Sequence, residues 1–451
     1  MDNVYVELDY NDGSPQTRTF SIYPDSTGEG RLLAPLKFSV KVRTWVQNDR
    51  TSSGLSKIII SNADGALDEF ADETFTSFTI KRESSGVSTT LASGLIDRVI
   101  PNETTVEVNV KDATRVLDMP LQDEFFPASE TSDTGSGTNT YYALEGQPRP
   151  LSVGAPLSIK PVLANRSIDE YHCSEVALDS TTTTYNNGVV VAHTDQSVGF
   201  TLDVNPADGS AIVADVEATD LIGVFTRYSI LNFDEDDLDY IDTNKGYEFA
   251  YYQDNTSSAT ITQFLKWFCD SITGWCYPDE IGDIRFGYLS LPKVSADLEI
   301  SALDVLDGIN RFDDLAPNIT SKIGYDRNWY VYSDDQIAAG ATAENRMNLT
   351  KKWRGVADGA NTIDSFYTDT FDPFDTCIRG ETDAQAEIDN ITELYSERRF
   401  FYSFDSSIKA EIGETVQLTY PRYDLTAGKN LLCVGYEIDF IYNEYRITLW
   451  G

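Results

Sequence analysis

Val4, Val6, Leu8 and Tyr10 stand at every second position near the start of the chain. A period of two turns alternate side chains to opposite faces, so this stretch reads as a strand with one face in a core. Asn11-Asp12-Gly13 follows as a turn, and Thr17 to Tyr23 resumes the pattern. Leu55 to Ser61 is an apolar, β-branched run ended by the turn Asn62-Ala63-Asp64-Gly65. Thr74 to Arg82 and Ala92 to Ile100 read as further strands, and Val106, Val108 and Val110 alternate with polar residues. Short strands spaced this closely predict a barrel or a sandwich.

The far end repeats the style. Thr415 to Tyr420, Leu431 to Phe440 and Tyr445 to Trp450 are separated by Thr426-Ala427-Gly428-Lys429 and by Asn443-Glu444. The spacing predicts an antiparallel meander, with the last residues held in a strand. Between the ends, ASETSDTGSGTNT reads as a loop or junction, within a stretch of changed character from Asp123 to Thr140. The Pro- and Gly-rich run Gly146 to Leu163 fixes extended and turning backbone. Gly188 to Ala192 and Val198 to Val204 return to strand character, so an inserted β-domain is expected over roughly 125–215.

Helices are expected in the following third. Ile261, Phe264, Leu265, Phe268 and Ile272 share one helical face, with a start near Thr256 or Ser257 and a stop at Gly274. Ser301 with Asp304 suggests a capping box for a helix carrying Val305, Leu306 and Ile309. Ala343 to Trp353 and Thr382 to Tyr395 are two further helical stretches. Their apolar stripes are read as core.

The balance of 34 Lys and Arg against 73 Asp and Glu gives a formal net charge of −39. Such a surface repels phosphate and anionic lipid, which excludes nucleic-acid binding through a basic groove. Two readings remain: adaptation for solubility, or a surface past which DNA slides without sticking. Aromatic residues reach 12 % of the chain; they favour strands and also enrich interfaces. No apolar run approaches the ~18 residues that a membrane span needs. The opening MDNVYVELDYNDGS lacks a basic region followed by an apolar stretch, so no secretory signal is expected.

Chemistry is sought and little is found. Cys173, Cys269, Cys276, Cys377 and Cys433 contain no C-x-x-C pair and read as reduced, mostly buried thiols. His172 and His193 are the two histidines. His172 adjoins Cys173, but neighbours on a strand point oppositely and make a poor nucleophile–base pair. Gly135-Ser136-Gly137 reads as a turn rather than a nucleophile elbow. The densest carboxylate cluster is Asp234, Glu235, Asp236, Asp237 and Asp239, with Asp242 close behind. It reads as a solvated acidic loop; Asp234, Asp236, Asp237 and Asp239 form the only cation-site candidate, and their spacing departs from a calcium loop. No catalytic residue and no cofactor site is expected, and the chain is not expected to be an enzyme.

Five segments in order resemble the hub or tail-tip (baseplate) structural proteins of long-tailed bacteriophages. They are IISNADGALDEF (Ile59 to Phe70) ahead of Gly94-Leu95-Ile96-Asp97-Arg98-Val99, then VKDATRVLDMPLQ (Val110 to Gln122), then GQPRPLSVGAPLSIKPVLAN (Gly146 to Asn165). IGYDRNWYVYSDDQIAAG (Ile323 to Gly340) and the ending from Gly413 to Gly451 complete the set. The acidity and the Ser/Thr loop near Ser129 depart from that pattern. The resemblance implies tube-like β-barrels at both ends, over 1–124 and, after a helix, 366–451. Between them it implies the inserted β-domain at 125–215 and an α+β middle at 216–365, in a mainly β chain.

It also implies a homotrimeric ring of pseudo-sixfold symmetry that joins the tail tube, or a distal tail protein, to tip or fibre proteins. DNA would pass through during ejection without specific binding, and the protein would sit in the virion after assembly in the host cytoplasm. The alternative class is a glycan-binding or glycan-hydrolysing surface protein, such as a tail-associated depolymerase or lectin. A third is an acidic adhesive protein that folds with calcium.

Overall fold

The protein, seen here as a computed structural model, is described over residues 3–11, 14–25, 27–34, 37–42, 51–111, 117–126, 144–166, 168–207, 209–218, 232–256, 258–313, 320–360 and 374–451. Its first sheet follows from the alternation at the start of the chain. Asn3–Asn11 pairs with Pro15–Ser21 on one side and with Thr74–Ser84 on the other, and Val4, Val6 and Leu8 are buried. The order continues through Val87–Pro101, Thr105–Val110 and Ile58–Ser61 to Leu32–Ala34, seven strands in all. Val87–Pro101 spends its first half on Thr74–Ser84 and its second on Thr105–Val110, so the sheet turns a corner along one strand.

The two ends of this order meet. Ser21 donates its backbone N–H to Glu29 (2.7 Å) and Glu29 donates to Thr19 (3.0 Å), just ahead of the last strand. The sheet therefore closes around a core that includes Val6, Leu8, Phe20, Ile60, Phe78, Ile80, Val106 and Val108. Each such side chain, fully withdrawn from water, contributes about 1.5–3 kcal/mol against the entropy of ordering the chain.

The C-terminal sheet contains Thr415–Thr419, Lys429–Asp439, Glu444–Trp450 and Phe400–Ser406 in that order. Residues 298–313 close it. Leu298–Ser301 runs parallel to Thr415–Thr419, Leu306 donates to the Asp405 carbonyl (2.8 Å), and Asn310–Asp313 pairs with Phe400–Ser406. Ile300, Tyr402, Phe404, Val416, Leu418, Leu431, Cys433, Ile447 and Leu449 fill the interior. The last residue is tied in: Gly451 and Phe400 exchange backbone hydrogen bonds of 3.1 and 3.2 Å.

One strand joins the two closed sheets. Lys37–Val42, which forms a hairpin with Thr51–Leu55, adds to Lys429–Asp439 from Lys37↔Asp439 to Lys41↔Gly435. Along Lys429–Asp439, Leu431 and Cys433 face the C-terminal core, while Tyr436 and Ile438 belong to the N-terminal core. The expected single run Leu55 to Ser61 is therefore two strands in two sheets. Ser56 and Lys57 are exposed between them, and the Ser56 hydroxyl accepts the Lys37 N–H (2.7 Å).

Two smaller sheets follow in the next part of the chain. Val162–Asn165, Glu170–His172, Gly199–Leu202 and His193–Gln196 form one; Val189–Val191, Leu178–Asn186 and Ile212–Ala218 form the other. They share a core with Ile159, Tyr171, Phe200, Ala214 and Val216.

Four α-helices occur among the described residues: α1 Glu235–Lys245, α2 Ile261–Ser271, α3 Ala343–Leu349 and α4 Glu381–Leu394. Helix α2 buries Ile261, Phe264, Leu265 and Phe268 as its periodicity predicts. Its start is Thr260, not Thr256 or Ser257, because Thr260 and Gln263 form a reciprocal capping box, and Ile272 ends it two residues before Gly274. Helix α3 starts after Thr342 and stops at Leu349; Trp353 begins the strand Trp353–Ala360. The Ser301 helix is absent. Asp304 does accept the Ser301 N–H (2.9 Å) and hydroxyl (2.6 Å), but Leu306 then bonds to the neighbouring strand and the chain stays in the barrel wall. The described chain is mainly β, and these four helices all lie in its second half, as the sequence predicts. No described helix is long and apolar enough to cross a membrane.

Candidate functional site

The acidic cluster is a helix start, not a loop. Asp234 takes extended backbone and accepts the Asp237 N–H (3.0 Å), and the acids after it occupy the first turns of α1. Carboxylates there are favoured by the helix dipole, which explains the density without a cation. Asp237 is further claimed by Arg285, whose Nε lies 2.7 Å from it and 3.5 Å from Asp234. Asp236 and Asp239 do not join them around one point: no group of three or more His, Cys, Asp or Glu able to hold a metal ion is found among the described residues.

His172 is buried and stacked on Phe126 with ring centroids 5.7 Å apart, and Glu170 Oε1 lies 3.3 Å from its Nε2. Cys173 lies in the core shared by the two smaller sheets, where burial pushes its thiol well above the ordinary range, the opposite of an activated nucleophile. His193 contacts the Thr181 carbonyl (2.8 Å) and the Thr184 hydroxyl (3.1 Å). Cys269, Cys377 and Cys433 are buried and Cys276 is half-buried. Gly135-Ser136-Gly137 lies outside the described residues, as does the turn at Asp12-Gly13.

A cavity of about 450 Å³ opens between α1, α2, the pair Leu151–Gly154/Ala250–Gln253 and the strands Leu178–Asn186 and Ile212–Ala218. Val153, Leu238, Ile241, Phe249 and Phe268 give it apolar walls, and Lys245 and Arg379 reach its rim. Both cations are engaged. Lys245 Nζ lies 2.7 Å from Glu387 of α4, and Arg379 Nε lies 2.9 Å from Asp326. Lys245 and Glu387 are both buried, and Glu387 also accepts the hydroxyls of Tyr247 (3.3 Å) and Thr273. This closed network pins α1 to α4.

The junction of the two barrels is tied by backbone and side-chain contacts that sequence reasoning did not anticipate. The hairpin Gly274–Pro278/Ile284–Tyr288 turns there. Its tip accepts the Ser93 N–H through the Glu280 carbonyl (3.0 Å), binding it to the N-terminal barrel. Lys409, ahead of the C-terminal strands, bridges Glu280 and Glu411 at 2.7 Å each. Trp275 and Tyr277 enter the N-terminal core beside Tyr436. Arg82 crosses to the Phe440 carbonyl (2.8 Å), and Lys37 pairs with Asp439 (3.1 Å).

Asp279, in the same turn, is raised to about 6, first by burial and next, among the raising causes, by Glu280. A raised carboxyl is what a glycosidase acid needs, yet this one accepts the N–H groups of Ile281 (3.0 Å) and Asp283 (2.9 Å) and so closes its own turn. The only sequence signal for the junction was the aromatic density of Trp275 to Tyr277 and Tyr436.

Two small closed sheets are thus locked side by side by backbone pairing, a shared core and ion pairs. Solved structures with a partly similar fold include tail proteins. The prophage tail protein gp18 of Listeria monocytogenes EGD-e aligns over 100 % of this chain and 94 % of its own, at 10 % identity and a TM-score of 0.44. The 43 kDa tail protein of prophage MuSo2 from Shewanella oneidensis aligns over 100 % and 96 %, at 8 % identity and 0.42. The tail protein of Neisseria meningitidis MC58 aligns over 100 % and 96 %, at 7 % identity and 0.42. No family model and no curated protein matches the sequence.

Proposed function

We propose that this chain is a structural, non-catalytic subunit of a bacteriophage tail tip. In this reading it is a baseplate hub protein located in the virion. Three copies close into a ring that joins the tail tube to the tip proteins and lets DNA through during ejection. The observation that carries the reading is the pair of closed sheets held by the strand Lys429–Asp439. Two rigid barrels per chain give six around a threefold ring, which is what a junction between sixfold and threefold parts requires. The five ordered segments of the sequence support the same class.

The domain plan 1–124, 125–215, 216–365 and 366–451 gives the ring its two end domains and leaves the insert and the middle to hold neighbouring tail proteins. The charge of −39 supplies the electrostatics: a carboxylate-lined lumen offers phosphate no counterion release, so the polymer passes without being held. Electron microscopy of the tail-bound protein tests the reading. Three copies around a net negative channel are expected. A lone monomer, or a channel lined by Lys and Arg, would refute it.

A further inference from the structure

A second cavity, of about 390 Å³, opens between α1, the hairpin Gly274–Pro278/Ile284–Tyr288, residues 290–297 and the turn at 411–414. One wall is aromatic. The rings of Tyr240 and Tyr288 lie 5.5 Å apart and within 7° of parallel, and the Tyr288 hydroxyl donates to the Tyr240 oxygen (3.1 Å). Lys245 Nζ lies 5.1 Å from the Tyr288 ring, and Tyr240 is 48 % exposed. Asp237, one turn earlier on α1, fixes this wall to the hairpin by accepting from Arg285 Nε (2.7 Å) and the Phe286 N–H (3.0 Å). The remaining lining is polar and paired. Lys293 Nζ lies 3.0 Å from both oxygens of Asp297, which also accepts the Thr415 N–H (2.9 Å). Glu411 pairs with Lys409 (2.7 Å), and Glu414 accepts the Glu411 N–H (2.8 Å).

A charged ligand entering this cleft would have to displace one member of a pair. Hydroxyl groups need not. Each donates and accepts, and because an ammonium carries three donors and a carboxylate about four acceptor sites, an ion pair keeps capacity for both. The tyrosines suit the other half of a sugar: its C–H groups meet the negative face of an aromatic ring. Apolar surface with a few fixed polar groups is how a small-molecule cleft sets orientation. We propose that this cleft binds a neutral glycan, with Tyr240 as the stacking platform and Lys293 and Asp297 on the hydroxyls. Asp237, Asp297 and Glu411 are ion-paired and hold no proton to deliver, so binding without hydrolysis is expected. The site goes beyond the ring reading and does not depend on it. On a tail-tip subunit it would add a contact with cell-surface sugar to a structural role.

The test is isothermal titration calorimetry of the full chain with maltotriose and chitotriose as neutral probes and trigalacturonate as an acidic one. At least one neutral probe is expected to bind in the millimolar range. Tyr240→Phe keeps the ring and should bind as the parent does, whereas Tyr240→Ala should weaken binding by about tenfold. Lys293→Ala, on the polar wall, should weaken it by about fivefold. It decides the case if circular dichroism shows Tyr240→Ala to be misfolded. Failure of both neutral probes to bind at millimolar concentration overturns the proposal, as does equal binding by the parent and the folded variants. Tighter binding of trigalacturonate overturns the neutral class, and cut probe in the recovered solution overturns binding without hydrolysis. If no probe binds and Tyr240→Ala abolishes self-association, the exposed ring serves a protein contact and the proposal fails. The ring reading is decided separately, by the copy number in the tail.

Discussion

Replacing Glu387 probes the link between the middle of the chain and the helix packed on the C-terminal barrel. Glu387 is 0 % exposed and Lys245 is 6 % exposed, with 2.7 Å between Nζ and Oε2. Removing one member of such a pair leaves an uncompensated buried charge, at a cost of about 3–5 kcal/mol. The Tyr247 and Thr273 hydroxyls lose their acceptor as well, which places Glu387→Ala at the upper end of that range. Glu387→Gln keeps shape and one acceptor but strands the ammonium, so about 3 kcal/mol is expected. Removing both charges is different: Lys245→Met/Glu387→Leu fills similar volume with apolar atoms and should cost less than either single change. Urea unfolding followed by far-UV circular dichroism at pH 7 measures the parent, Lys245→Met, Glu387→Leu and the double variant as a double-mutant cycle, with Glu387→Ala and Glu387→Gln beside them. If Glu387→Gln costs under about 1 kcal/mol, or if the double variant costs the sum of the singles, the buried-network argument is wrong.

Three further outcomes follow from the geometry. Gly154 has φ +63 and an added Cβ would lie 1.9 Å from the Phe249 carbonyl oxygen; Gly154→Ala should therefore destabilise by about 2–5 kcal/mol in the same unfolding assay. Asp279 is raised in the fold from 3.8 to about 6, so its contribution to stability is present below pH 4 and is lost as pH rises through 6. Being half-buried and screened, it contributes about 1 kcal/mol; Asp279→Asn should gain that at pH 7.5 and gain nothing at pH 4 in paired melts. Calcium at millimolar concentration should leave the melting midpoint unmoved, since Asp234 caps α1 and Asp237 holds Arg285; a rise of several degrees would reinstate a cation site there.

The sequence was most legible where one face of a regular element is buried. Val4, Val6 and Leu8 and the α2 stripe are read off directly, because a period of two or 3.6 is a local property. It was least legible where local signals were answered from far away. Ser301 and Asp304 make the contacts of a helix start, yet Leu306 finds a strand partner about a hundred residues on. The run Leu55 to Ser61 looks continuous, and only the distant strand Lys429–Asp439 explains why its first part leaves the N-terminal barrel. The acidic run was misread because its composition resembles a loop, while the deciding feature was the extended backbone of Asp234 as a cap. The buried Lys245–Glu387 pair gave no signal at all, since its members stand 142 residues apart.

The pairing of Lys37–Val42 with Lys429–Asp439 also dictates a schedule of synthesis. On the ribosome the early hairpin must wait for about 400 further residues before its partner emerges. Until then it offers an open strand edge in a crowded cell, where the same edge on another nascent molecule is a ready substitute. Loop closure over such a span is slow, so maturation of the first barrel is gated by a strand translated much later. A chain interrupted before residue 435 would lack the strand that seals its own beginning.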